Sequence, residues 1–530
     1  MYVEPEGILL SQDSEAHLPQ PIAGPRGSTQ RNAVFRLIAY LASAIVFLAV
    51  LPYIIRHIGV EAYGIVGFST NVLNYMAIAT VAITSVIGRN LVFAIERRRY
   101  EEASKQLSTS LWGLGLVLIG SSAPALVLIL LLDKVILIPP RLVTDAKVLI
   151  ACTVISSALT TISLPFGAST FARNRLDIQS GLSLGKQVLT FGLIYLLFRT
   201  LGSSLTIYGV ALIAASVVLA VANVGVCRRL LPGVHAGRKW VDLTILKQIL
   251  SFGGWITVNH VGSLLYLQAD LIVVNRVLGP TAAGQFAAIS VVSTQLRAVG
   301  SMIAGLFDPN QTALVARGDI PGLVRYATRS MRITTMTSAL LVGVFCGMAH
   351  NILAVWLGKD FASAAPVAMV LTAHLIVNLG VLPLFGLQLA MGGVRWPGIV
   401  TLVLGVMNVL LGITLAGPLG LGLMGVALSG CIVLTLKNVV FTPWYAARLC
   451  GLPPWPFLKE LGLGLLMGGV IFLIARSTAL LFHPESWGRL ILSLLTAGLL
   501  SLLPLAPIAL RVLRPRPTED ADELEQTANA

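Results

Sequence analysis

The sequence predicts an all-α polytopic membrane protein of about 14 transmembrane helices, arranged as two parallel six-helix lobes followed by two further helices. Three observations predict it. The chain has 530 residues, of which 56% are hydrophobic and 11% charged, and its mean hydropathy is +0.85. So few polar residues do not cover the surface of a water-soluble protein of this length, whereas a helical membrane protein has lipid as its solvent. Apolar stretches of about 20 residues, long enough to cross a bilayer as helices, recur along almost the whole length. Finally, one segment occurs twice.

The duplicated segment is Ile55-Arg56-His57-Ile58-Gly59-Val60-Glu61-Ala62-Tyr63-Gly64, which returns in outline as Asn275-Arg276-Val277-Leu278-Gly279-Pro280-Thr281-Ala282-Ala283-Gly284. Arg56 aligns with Arg276, Gly59 with Gly279 and Gly64 with Gly284, all at an offset of 220 positions. The same offset pairs Asn90 with Asn310, Arg97 with Arg317 and Ser110 with Ser330. A fixed offset held this far marks a duplicated unit. In a chain this apolar, duplicated halves usually enclose a transport path.

The first lobe is expected to hold spans at 33–54, 63–88, 110–132, 146–171, 180–199 and 206–226. The second holds 250–274, 284–307, 333–355, 366–390, 397–416 and 422–441, and the appended pair lies at 461–481 and 488–510. Gly279-Pro280, Gly392-Gly393-Val394-Arg395-Trp396-Pro397 and His483-Pro484-Glu485 separate neighbouring spans. The expected organisation is a polar cytoplasmic tail (1–30), a first lobe (31–230), a second lobe (231–450), two extra helices (451–510) and a cytoplasmic tail (511–530). An offset of six spans, an even number, makes the two copies parallel rather than inverted. The matching segments 89–109 and 309–329 mix apolar with charged residues and read as short amphipathic helices on the inner membrane surface, or as solvated charged hairpins. Pro124, Pro165, Pro366 and Pro383 interrupt or flank spans, as hinge points or as ordinary packing kinks.

Charge sets the orientation. With the N-terminus in the cytoplasm, 26 of the 37 Lys and Arg fall on the cytoplasmic side and nine on the other, while Arg297 and Lys437 lie within spans. That bias places both termini inside and requires an even number of spans. Topology accounts for the basic balance better than nucleic-acid binding, since the charges sit in short loops. The cysteines at 152, 227, 346, 431 and 450 have neither CxxC nor zinc spacing and read as small buried hydrophobes. No HExxH, Walker A or Rossmann glycine pattern occurs in a suitable context, so no enzyme, metal site or cofactor is expected. Residues 1–30 do not have the form of a signal peptide.

The stretch Leu51-Pro52-Tyr53-Ile54-Ile55-Arg56-His57-Ile58-Gly59-Val60-Glu61-Ala62-Tyr63-Gly64 resembles the first-loop signature of bacterial polysaccharide exporters. These are the O-antigen and lipid-linked oligosaccharide flippases of the multidrug/oligosaccharidyl-lipid/polysaccharide exporter superfamily. Asp270-Leu271-Ile272-Val273-Val274-Asn275-Arg276-Val277-Leu278-Gly279 is similar to that family's seventh span and following loop. Ala283-Gly284-Gln285-Phe286 departs modestly from the commoner Gly-x-Tyr. The resemblance covers about residues 30–510. It implies a multi-pass protein of the bacterial inner membrane whose two lobes form a V around a central cavity that opens alternately to each side. The implied cargo is an oligosaccharide on a polyprenyl pyrophosphate. Implied partners are membrane lipid and other polysaccharide-assembly proteins, with no nucleic acid.

A pyrophosphate brought into a low-dielectric cavity calls for cations, and Arg suits it through its fixed fork of donors. A glycan calls for polar and aromatic side chains. Arg297, in the middle of span eight and near Gln295, is the foremost candidate for the anionic head, because a mid-membrane cation normally faces protein or water. The alternative for Arg297 is a structural ion pair between helices, with Asp270 as its natural partner. Asp270 also reads as a gate or a proton- or cation-coupling site. Asn259 and His260 on span seven are candidates for the cavity, or packing residues. Arg36, one turn before Tyr40, either receives phosphate at the inner mouth or snorkels to lipid headgroups. Asn74 and Tyr75, with Asn71, cluster on span two for sugar contact or for interhelical hydrogen bonding. Lys437-Asn438 in span twelve and His374 with Asn378 in span ten are secondary candidates.

Three other readings compete. A cation- or proton-coupled multidrug exporter of the same superfamily would favour carboxylates inside spans, where Asp270 is the clear one. A peptidoglycan-precursor flippase would typically carry an Arg-Asp pair in span one, where this chain has Arg31-Asn32 and Arg36-Leu37. A polytopic glycosyltransferase or polymerase would need a large outer loop or a soluble catalytic segment, and none is visible.

Overall fold

The computed structural model describes residues 26–96, 99–173, 175–242 and 254–513. Fourteen long helices follow one another. The first six are α1 (Arg26–Ile58), α2 (Val60–Glu96), α3 (Tyr100–Leu130), α4 (Val143–Ala172), α5 (Leu176–Leu201) and α6 (Leu205–Leu230). The next six are α7 (Gly254–Leu278), α8 (Pro280–Ala304), α9 (Ile320–Trp356), α10 (Ala365–Ala373, Leu375–Gly380 and Leu382–Ala390), α11 (Arg395–Ala416) and α12 (Gly422–Leu436, Lys437–Phe441 and Thr442–Leu449). The last two are α13 (Trp455–Phe482) and α14 (Trp487–Leu513). Thirteen helical segments are long and apolar enough to cross a membrane, and α2, with 37 residues, is the fourteenth helix of spanning length. No strand occurs among the described residues. Residues 1–25 and 514–530 lie outside the described residues, and α1 begins at Arg26, within the segment expected to be a polar tail.

The duplication is visible in the backbone. Helices α1 and α7 end at Ile58 and Leu278, α2 and α8 begin at Val60 and Pro280, and α3 and α9 begin at Tyr100 and Ile320. The turns between them are alike: Gly59 and Gly279 have φ of 87° and 93°, a left-handed conformation that costs glycine least. The two copies differ at the ends of α2 and α8. Helix α2 runs unbroken to Glu96, whereas α8 stops at Ala304 and a separate helix occupies Asp308–Ala316. Pro309 lacks the N–H that would continue the ladder, while its counterpart Arg89 has one. The amphipathic segments expected at 89–109 and 309–329 are therefore corrected: in the first copy residues 89–96 extend α2, and only the second copy has a separate short helix.

Two charges counted on the cytoplasmic side by the sequence lie inside helices. Lys186 is the eleventh residue of α5, and Arg332 lies well inside α9. Arg332 forms a two-pronged ion pair with the buried Glu460 at the start of α13, Nε–Oε2 2.8 Å and Nη2–Oε1 2.5 Å. Helix α13 rides on α9 through small residues. A Cβ added to Gly343 would stand 2.8 Å from Ile471 Cγ2, and one added to Gly347 would stand 2.5 Å from Ala475 Cβ. Close backbone approach of this kind is the usual basis of helix association in lipid.

Helices α10 and α12 are irregular, for local reasons. Pro383 cannot donate to Leu379, and the helix resets at Val381, with Leu384 bonding three residues back to it at 2.8 Å. Pro443 has the same effect in α12, where Lys437–Phe441 widens into a π turn. Non-regular backbone at this depth is tolerated only inside protein or along a watered cavity.

Candidate functional site

The two lobes touch along α2 and α8. An added Cβ on Gly64 would stand 2.9 Å from Gly284 N, and one on Gly67 would stand 2.8 Å from Ala287 Cβ. The seam continues at the same end of the bundle: Thr281 Oγ1 donates to Glu61 Oε1 at 3.2 Å, and Arg141 pairs with Glu61 at 2.8 Å. Asn275 bonds both polar groups of Leu137, accepting from its N–H at 2.6 Å and donating to its carbonyl at 3.1 Å, and Arg276 Nε donates to Val135 O at 2.7 Å. Deeper in, Asn71 Nδ2 donates to Gln268 O at 2.9 Å and Trp356 Nε1 to Leu48 O at 2.6 Å. Toward the opposite end Tyr40 OH donates to Gln295 O at 3.1 Å, joining α1 to α8.

Below this seam α8 carries Arg297, about 10 Å before the end of the helix at 1.5 Å per residue. The half-buried guanidinium lies within electrostatic range of Asp270, Tyr266 and His374. Among the described residues it makes no hydrogen bond or ion pair. Asp270 is held from α11, where Asn408 Nδ2 donates to Oδ1 at 2.8 Å, and lies within range of Tyr75 on α2. The structural ion pair weighed for Arg297 is thus absent at contact distance, and the carboxylate is engaged elsewhere.

The irregular stretches of α10 and α12 face each other across a buried polar chain. His374 Nδ1 meets Asn378 Nδ2, Asn438 Nδ2 donates to Asn378 Oδ1 at 2.8 Å, and Thr442 Oγ1 donates to Asn438 Oδ1 at 3.1 Å. Beside this chain sits Lys437, 5% exposed, its ammonium over the rings of Phe385 (5.1 Å) and Tyr266 (5.5 Å). In the first lobe Lys186 Nζ donates to Thr160 Oγ1 at 2.9 Å, and Thr160 continues to Ser216 and Ser156. Arg297, Lys186 and Lys437 are thus three cations at membrane depth with no acidic partner within 4 Å among the described residues.

The sequence-derived candidates divide accordingly. Arg297, Asp270 and Tyr75 are brought into one electrostatic neighbourhood. Gln295 contributes its backbone carbonyl to Tyr40, Asn74 is half-buried beside Tyr75, and His260 is exposed. The side chains of Arg36 and Asn259 lie outside the described residues. Sequence reasoning left Tyr266 unremarked and counted Lys186 as a cytoplasmic charge. A lysine flanked by Leu184, Val188 and Leu189 was the available signal.

Fold and site together define a polytopic α-helical membrane protein with cations held inside its helical bundle. The chain belongs to the family described as polysaccharide biosynthesis protein, whose pattern matches residues 29–307. It is 33% identical over 461 residues to EpsK of Bacillus subtilis (strain 168), described as an uncharacterized membrane protein, covering 87% of this chain and 91% of EpsK. Solved structures share the fold at low identity. The lipid II flippase MurJ in an inward closed conformation has a TM-score of 0.60 at 14% identity, covering 92% of this chain and 98% of MurJ. An outward-facing multidrug resistance MATE family transporter of the MOP superfamily also gives 0.60, at 15% identity, covering 80% of this chain and 96% of that one.

Proposed function

We propose that this protein moves a polyprenyl-pyrophosphate-linked oligosaccharide from the cytoplasmic to the outer leaflet of the bacterial inner membrane, by alternating access, for cell-surface polysaccharide assembly. The observation that carries the reading is the charge balance at membrane depth: Arg297, Lys186 and Lys437 lack acidic partners among the described residues, and Asp270 is bonded to Asn408. Unpaired cations inside a membrane protein are costly unless an anion visits them. A pyrophosphate supplies that anion, and the Arg297 fork suits it. The lipid tail stays in the bilayer, so only the head group needs enclosure. The bias of Lys and Arg supports cytoplasmic termini, and with that orientation the Gly64–Gly284 seam lies on the outer side. Closure on the outer side is what loading of cargo from the inner leaflet requires.

The test is flipping in proteoliposomes. A polyprenyl-pyrophosphate oligosaccharide with a labelled sugar is placed in one leaflet, and its exposure to an added sugar-modifying enzyme is followed. Protein-dependent exposure that is lost in Arg297→Ala and partly kept in Arg297→Lys supports the reading. Absence of protein-dependent exposure refutes it. A second reading, a cation- or proton-coupled multidrug exporter, draws on Asp270, a membrane-level carboxylate able to exchange a cation or proton. Gradient-driven efflux of a cationic dye, lost in Asp270→Asn, would favour it.

A further inference from the structure

We infer that the groove between α1 and α5 is a subsite for uncharged sugar rings of the cargo, separate from the cations that meet its pyrophosphate; this rests on the flippase reading above. The groove has a volume of about 470 Å³ and is lined by Tyr40, Ser43, Gln179, Ser180 and Ser183 together with two small or apolar residues. That size lies in the range of small-molecule pockets, roughly 300–1,000 Å³.

All five polar residues belong to helices of membrane-spanning character. Each helix keeps them apart from its lipid-type face. On α1 the exposed apolar residues Ile38, Leu41 and Ile45 lie on the side opposite Tyr40 and Ser43, and on α5 Val188, Tyr195 and Leu196 lie opposite Gln179, Ser180 and Ser183. A hydroxyl- and amide-bearing stripe against hydrocarbon would be strongly disfavoured, so this stripe faces a watered space. The Ser43 and Ser180 hydroxyls and the Gln179 amide have no protein hydrogen-bond partner among the described residues, whereas Ser183 Oγ bonds Gln179 O at 3.1 Å. Donors and acceptors are therefore free for a polyhydroxylated ligand. A glutamine amide both donates and accepts, which matches neighbouring sugar hydroxyls, and a tyrosine ring offers a face to the apolar side of a pyranose.

The groove is also positioned and shaped. Gln187 Nε2 donates to Ser43 O at 2.7 Å, pinning α5 to α1 one turn beyond Ser183. Tyr40 OH donates to Gln295 O, which ties the groove to α8, the helix that carries Arg297. None of the five polar residues carries a formal charge. Arg175 and Asp177 at the start of α5 pair with each other, Nε–Oδ1 3.0 Å, and Lys186 is turned to Thr160 of α4. Uncharged hydrogen-bonding groups of this kind suit neutral sugars.

Two probes separate the subsite from the reading beneath it: undecaprenyl pyrophosphate alone, and the same lipid carrying two neutral hexoses. Binding to the full chain in lipid nanodiscs is measured for wild type, Ser183→Leu, Gln179→Ala and Arg297→Gln, each checked for an unchanged melting temperature. In wild type the sugar-bearing lipid should bind at least about tenfold more tightly. Ser183→Leu and Gln179→Ala should each remove most of that advantage while leaving the bare lipid within about twofold. Arg297→Gln should weaken both lipids. Equal binding of the two lipids by wild type overturns the subsite but leaves the flippase reading standing, as does an equal loss of both in the groove variants. Should Ser183→Leu alone fail to fold, Gln179→Ala decides. Binding of neither probe removes both proposals.

Discussion

Gly64 and Gly284 are equivalent residues of the two repeats, and they pack against each other backbone to backbone, with room for no side chain on either: a Cβ on Gly64 would stand 2.9 Å from Gly284 N, and one on Gly284 would collide with Val60 O. The two repeats meet at this pair. Glu61 and Thr281, also 220 residues apart, bond across the same seam. The residues that identify the duplication are thus the ones that close one end of the cleft.

This contact predicts a conformational variant. Gly284→Leu drives a side chain into the backbone of α2 and should favour separation of the two lobes at this end. Transport is expected to fall by about tenfold or more, since alternating access needs both states populated. The check is disulfide trapping between cysteines placed at Glu61 and Thr281: efficient in the parent, and sharply reduced with Gly284→Leu. Unchanged trapping would show that the seam does not depend on the glycine.

Asp270 and Asn408 make a second prediction. Asn408→Ala removes the donor at 2.8 Å and leaves the half-buried carboxylate short of a partner, at a cost of about 1–3 kcal/mol. Thermal unfolding in detergent should show a lower melting temperature, restored in large part by adding Asp270→Asn. If Asp270 couples an ion, Asp270→Asn alone should abolish the dependence of transport on an imposed gradient. Transport that stays fully gradient-dependent in that variant removes Asp270 as the coupling residue.

The Arg332–Glu460 pair ties α13 to α9. Glu460 is buried while Arg332 is partly exposed, so the pair ranks between a surface and a fully buried bridge. Arg332→Ala should cost on the order of 1–3 kcal/mol. The double variant Arg332→Met with Glu460→Leu should recover most of this, because it leaves no unpaired buried charge. A melting-temperature cycle over the four proteins measures it, and additive losses would refute the coupling.

The Asn378–Asn438 bond joins α10 to α12 where both helices are irregular. Asn438→Leu strands Asn378 and Thr442, and is expected to destabilise the protein by about 1–3 kcal/mol per stranded group. Lys437→Met removes a buried cation that has two aromatic rings and no acid beside it. It should leave stability equal or higher and reduce binding of a pyrophosphate probe by about tenfold. Lower stability with unchanged binding would make Lys437 a packing residue.

Much of the architecture was legible in the chain. Lipid imposes helices of about 20 apolar residues, so all fourteen could be located from hydropathy alone. The repeat offset anticipated three pairs of helix boundaries to the residue. What misled was charge. Lys186 and Arg332 read as cytoplasmic charges because a cation near a span end normally reports topology, and only packing distinguishes that from a helix-borne cation with a partner in the next helix. Pro309 was present in the sequence, yet its effect on the second copy became evident only beside the unbroken α2.

By itself the sequence determined the helices, their number, the duplication and the presence of cations within spans, because each follows from local composition and the demand that every backbone group in lipid be paired. Tertiary structure alone decided which of these residues meet. His374, Asn378, Asn438 and Thr442 come from two different helices and form one chain where both helices depart from regular α geometry. Arg297 and Asp270 come within electrostatic range without pairing at contact distance, and Asn408, 138 residues from Asp270, donates to the carboxylate. Contacts of that range depend on helix packing angles and rotations, which small residues such as Gly64 and Gly284 permit but no local pattern encodes.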